Sequence, residues 1–95
     1  MTTIEAMVAD AKAMLRLEGG AEDALIARLA AAALGLCAAF LRRDVAADWA
    51  AVPAPIAHGL VLMTAHLWEN RGRDDAPPAA VTALWRPFRV MGIGA

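Results

Sequence analysis

Ninety-five residues with a formal net charge of −1 make one small domain, and the composition excludes most catalytic readings. There is no Ser, Tyr or Gln, and there are one Lys, one Cys and two His. A Ser nucleophile and a Tyr acid are therefore impossible, a Schiff base has only Lys12, and the lone Cys37 makes neither an intrachain disulfide nor a Cys-based zinc site.

Gly and Pro clusters divide the chain into four helical stretches. The first follows Thr2, with Glu5 three residues on in the pattern of a capping box. Ile4, Met7, Val8, Ala11, Met14 and Leu15 fall at helical spacing, and Gly19-Gly20 is expected to end the run. The second opens on Glu22-Asp23 and closes on Arg42-Arg43, each pair suited to the helix dipole at its end. Leu25, Ile26, Leu29, Ala33, Leu36, Cys37 and Phe40 mark one face; the opposite face is nearly all Ala, which allows close approach on both sides.

Asp44 to Val52 reads as a short connection carrying Trp49, with room for a turn of helix. Pro53-Ala54-Pro55 starts the third helix, where proline is tolerated in the first turn. That helix carries Ile56, Leu60, Met63, Leu67 and Trp68 and ends near Asn70-Arg71-Gly72. Pro77-Pro78 starts a short fourth helix through Val81, Leu84 and Trp85, and Pro87 stops it. No run alternates cleanly, so little or no sheet is expected. The fold class is all-α: a small bundle of about four helices over residues 1–87, with a short extended C-terminal tail, 88–95.

The polar residues offer little chemistry. His58 and His66, eight residues apart on one helix, stand about 12 Å from each other, too far to share a metal ion. His66 and Glu69 have an i, i+3 spacing found in bundle metal sites, but no second Glu-x-x-His repeats it. Neither a metal nor a cofactor is expected. Cys37, inside an Ala/Leu helix, reads as an inert buried thiol. Gly19-Gly20 is no phosphate loop, since no strand precedes it and no Gly-Lys follows. Trp68 and Trp85 read as core, or one of them as an interface anchor. The tail Val90-Met91-Gly92-Ile93-Gly94-Ala95 either frays or docks on a neighbour as an added strand.

A chain this short buries roughly two-thirds of its surface at best, so a 60% hydrophobic sequence keeps much apolar surface near the outside. Some of that surface is expected to be covered by other subunits or a partner. The interleaved charges give no basic patch for nucleic acid. Glu5 and Asp10, without a basic n-region, do not read as a signal peptide. The longest uncharged run, residues 29–41, falls short of the roughly twenty residues of a membrane span, so no membrane association is expected. One reduced thiol suits the cytoplasm.

A set of stretches in fixed order carries a resemblance. The stretches are Ala11-Lys12-Ala13-Met14-Leu15-Arg16-Leu17; Glu22-Asp23-Ala24-Leu25-Ile26-Ala27-Arg28-Leu29; Trp49, Val52-Pro53 and Ile56; Ala65-His66-Leu67-Trp68-Glu69-Asn70-Arg71; and Pro77-Pro78-Ala79-Ala80-Val81 with Leu84 and Arg86-Pro87-Phe88-Arg89. Over almost the whole chain this resembles the head–tail connector (adaptor) proteins of long-tailed phages, prophages and gene transfer agents. The resemblance implies an all-α, non-enzymatic subunit of a ring, usually twelvefold, beneath the portal at the capsid vertex. Such a ring extends the channel for double-stranded DNA without sequence-specific binding and offers a surface to a stopper or tail-terminator protein. The place it implies is the neck of a virion or phage-like particle assembled in the bacterial cytoplasm.

The family's C-terminal segment reaches towards the portal, which makes Arg86, Phe88, Arg89, Val90, Met91 and Ile93 the expected contacts with portal or neighbour. Arg71, Arg73, Asp74 and Asp75 are the candidate inter-subunit charges. One departure stands out: many relatives have a more polar second helix with an aromatic-rich end, where this chain has dense alanine and Phe40. The competing reading is a small oligomeric helical interaction or regulatory module. A DNA-binding regulator would need a basic recognition helix, and none of the four stretches supplies one. An enzyme would need a convergent polar site, for which the inventory is too thin.

Overall fold

A computed structural model describes residues 1–73 and 76–89. Within them lie four helices, α1 (Thr3–Leu15), α2 (Asp23–Leu41), α3 (Ala54–Glu69) and α4 (Ala79–Trp85), with 3-10 turns at Trp49–Ala51 and Arg86–Phe88. The protein is all-α, as the sequence predicts; the nearest approach to a sheet among the described residues is one isolated bridge between Thr2 and Asp48.

Local chemistry sets the helix ends. The Thr2 hydroxyl accepts from the Glu5 N–H at 3.1 Å, and the Glu5 carboxylate accepts from the Thr2 N–H at 3.0 Å, completing the box that the sequence announces. The Thr2 backbone N–H, and after it the Thr2 side chain, hold the Glu5 carboxyl below its ordinary range. This capping is present at neutral pH and is lost as pH falls through the lowered carboxyl range.

The other end of α1 departs from expectation. The helix stops at Leu15, four residues before Gly19, because Arg16 turns left-handed (φ 57°) and the Leu17 N–H returns to the Lys12 carbonyl at 2.9 Å. Lys12 then fastens the loop: its ammonium donates to the Gly19 carbonyl at 2.5 Å and lies 2.6 Å from the Asp23 carboxylate. Arg42 ends α2 in the same left-handed way (φ 61°).

The three longer helices pack mutually, and α4 lies on α3 with slight contact to α2. Thr3 joins the start of α1 to the α2–α3 connection: its hydroxyl donates to the Ala46 carbonyl at 2.7 Å, and its N–H to the Ala47 carbonyl at 2.8 Å. Trp85, closing α4, donates from Nε1 to the Ile56 carbonyl at the start of α3, at 3.3 Å. The starts of α1 and α3 and the ends of α2 and α4 therefore share one end of the bundle.

The central element is α3, with Ile56, Gly59, Leu60, Val61, Met63, Thr64 and Ala65 buried. Thr64 satisfies its buried hydroxyl within its own helix, donating to the Leu60 carbonyl at 2.8 Å. Around α3 the core gathers Met7, Ala30, Ala33, Cys37, Leu41, Val52, Val81 and Trp85. Of the tryptophans weighed as core or interface, Trp85 is core, while Trp68 is half-buried.

Candidate interaction surfaces

The core face of α2 is rotated from the one the leucines suggest. Ile26, Ala30, Ala33, Cys37 and Leu41 form the buried seam, and Leu36 turns outward, 47% exposed. Alanine explains the rotation: Ala30 and Ala33 let the α2 backbone lie close against its neighbours, and a leucine at either position would hold it off. The exposed side is consequently also apolar. Ala24, Ala31, Ala32, Gly35, Leu36 and Ala39 are all open to solvent, with Arg28 the single charge among them.

By length and composition this 19-residue helix is apolar enough to cross a membrane, with a mean hydropathy of 2.1 and 28% of it buried in the bundle. The helix extends the thirteen-residue uncharged run through its first turns, where Asp23 and Arg28 are the charges. Its packing against both α1 and α3 gives it the place of a bundle helix.

A second surface lies between α1 and α3. Asp10, Ala13 and Met14 face Ala57, His58 and Val61 across an apolar groove of about 390 Å³, which Trp49 and Ala54 help to line. Met14 is 45% exposed there. The sequence places Met14 on the apolar stripe of α1, and helical periodicity does not say which part of that stripe finds a partner. Nothing in the sequence joins Asp10 to Trp49 until the fold brings them to one groove.

The third surface is the end of the bundle that carries Phe88 and Arg89. Phe88 is half-buried against the core, and the Arg89 guanidinium sits 5.1 Å from the centre of the Phe40 ring. Arg86 is exposed, as are Arg42 and Arg43 at the end of α2. Val90, Met91 and Ile93 lie outside the described residues. Of the candidate inter-subunit charges, Arg71 folds back on its own helix: its guanidinium stacks 3.9 Å from the Trp68 ring centre and donates to the Trp68 carbonyl at 2.6 Å. Arg73 is exposed, with its backbone N–H on the Asn70 carbonyl at 3.0 Å; Asp74 and Asp75 lie outside the described residues.

His58 is exposed on the groove rim, and half-buried His66 has its Nδ1 3.1 Å from the Asn70 amide nitrogen. No group of three or more His, Cys, Asp or Glu suited to a metal occurs among the described residues. Cys37 is fully buried, and that burial pushes its thiol up to about 11 against a weaker opposing pull from Arg43. At pH 8 the thiolate fraction is then on the order of one in a thousand. Iodoacetamide should alkylate the folded chain at least ~100-fold more slowly than the urea-unfolded chain, read by mass spectrometry. Equal rates would mean that the thiol is open to solvent.

No family model, curated protein or solved structure matches the chain.

Proposed function

We propose that the chain is a subunit of a head–tail connector ring in a phage-like particle, seated between the portal and the stopper or tail and extending the DNA channel. The observation that carries this reading is the outward face of α2, an apolar, alanine-rich surface that the subunit itself leaves uncovered. Such a face suits lateral packing of many copies, and a head-to-tail contact closes into a ring when its rotation fits. The ordered stretches that resemble connector proteins supply the particular assembly. A near-neutral chain also suits a channel through which DNA must slide without tight phosphate binding.

The test is the light-scattering mass of the purified chain, alone and mixed with a purified portal ring from the same genome. A portal-dependent gain of about a dozen copies supports the connector reading and gives its symmetry. A chain whose mass is indifferent to portal belongs to the helical regulatory or interaction class instead.

Within this reading the C-terminal segment is the portal anchor. Because Phe88 and Arg89 pack on the body, the informative truncation follows Arg89 and spares the core. Removing residues 90–95 should leave the helical circular dichroism unchanged and abolish the portal-dependent gain in mass. Undiminished attachment would remove the anchoring role from this segment.

A further inference from the structure

We infer that copies of this chain meet head to tail, the outward ridge of α2 on one copy seating in the α1–α3 groove of the next. This contact deepens the ring reading by naming its two surfaces, and it rests on that reading for closure into a ring.

The packing of α1, α2 and α3 places the two surfaces on opposite sides of the subunit. Each of the three helices touches the other two, so the outer side of α2 points away from the gap between α1 and α3. A ridge on one side and a groove on the other form a heterologous pair, which propagates from copy to copy. The shapes match in kind. The ridge is built from Ala31, Ala32, Gly35 and Ala39, small enough for its backbone to approach two helices at once, with Leu36 projecting from it. The groove is apolar and open, with Met14 exposed on its lip.

Charge sets the partner and the direction. Arg28 is the only charge on the exposed ridge, and Asp10 is the only carboxylate lining the groove. Arg28 and Leu36 are eight residues apart, about 12 Å along α2, whereas Asp10 and Met14 are one turn apart, about 6 Å. With Leu36 beside Met14, the length of the Arg28 side chain covers the difference. A lipid surface is the other apolar environment that α2 could meet, but a lipid-facing ridge would present large side chains rather than alanine and glycine, and would leave Arg28 unpaired.

The experiment is cross-linking between differently tagged copies of the full chain, carried in a Cys37→Ala background. One copy bears Leu36→Cys and the other Met14→Cys, both at exposed positions, with circular dichroism as the check on folding. At high protein concentration, without any other protein, a short bis-maleimide should join the Leu36→Cys copy to the Met14→Cys copy at least ~10-fold more than it joins two copies of either kind.

A second set uses charge. Arg28→Glu alone and Asp10→Arg alone should each weaken self-association ~3- to 10-fold, and the two reversals mixed in the matching sense should restore most of it. Preferential joining of two Leu36→Cys copies would replace this contact with a face-to-face one and overturn it. No cross-link, or flotation of the chain with phosphatidylcholine–phosphatidylglycerol vesicles in place of a cross-link, overturns it as well. The contact and the connector reading fail separately. A cross-link without a portal-dependent gain in mass sinks the connector; a portal-bound ring whose paired cysteines do not join sinks the contact.

Discussion

Trp85→Ala should destabilise the chain by about 3–5 kcal/mol, a large share of the roughly 5–15 kcal/mol that holds a small domain folded. Trp85 is 2% exposed, with its ring centre 6.2 Å from that of Phe40 and tilted by 53°. Its indole N–H donates to the Ile56 carbonyl in the first turn of α3, so the ring joins the end of α4 to α3 and to the end of α2. Seven residues make too short a helix to persist without packing, so α4 depends on this anchor. Urea unfolding followed by circular dichroism gives the number. Trp68→Ala is the control: its ring is half-buried with the Arg71 guanidinium stacked on it, and its loss should be about 1 kcal/mol or less. Equal losses at the two sites would mean that Trp85 is no special anchor.

The element order was legible because each boundary carries its own chemistry. Thr2 with Glu5, the acidic start of α2, and the prolines before α3 and α4 all act within a few residues of themselves. The end of α1 is not legible, because the left-handed turn falls on Arg16 and an arginine does not announce that conformation as glycine does. The buried face of α2 is offset from its leucine-rich face for a different reason. Hydrophobic periodicity weighs leucine above alanine, whereas this bundle buries Ala30 and Ala33 completely and turns Leu36 out. Such a choice depends on what packs opposite, which no single helix encodes.

The candidate surfaces follow the same division. That apolar surface would remain outside was readable from 60% hydrophobic content in a short chain. Where it remains was not, since the groove needs Met14 from α1, Val61 from α3 and Trp49 from the connection between them. Arg71 was readable as part of a mixed charge cluster, but its guanidinium is committed to Trp68 within its own subunit. Burial of Cys37 is readable from its neighbours in sequence, because every residue within four positions on either side is apolar or glycine.

Gly59→Ala should destabilise the chain by about 2–3 kcal/mol, against the usual gain of about 1 kcal/mol for alanine over glycine inside a helix. Gly59 lies in the middle of α3, where the Trp85 ring rests directly on the backbone. A Cβ at this position would overlap Trp85 Nε1 and stand 2.9 Å from both Cδ1 and Cε2 of the ring. The ring has nowhere to retreat, since it is enclosed on α3 and held by its bond to the Ile56 carbonyl. Steric cost therefore outweighs helix propensity at Gly59, whereas at Gly35, with open space around its Cβ position, propensity alone should decide and alanine should stabilise by about 1 kcal/mol. The decisive form is a double-mutant cycle. With Trp85→Ala already present, Gly59→Ala should become neutral or stabilising, giving a coupling of about 2–4 kcal/mol between the two positions. Additive losses would mean that the close approach of Trp85 to Gly59 is not what holds α4 in place.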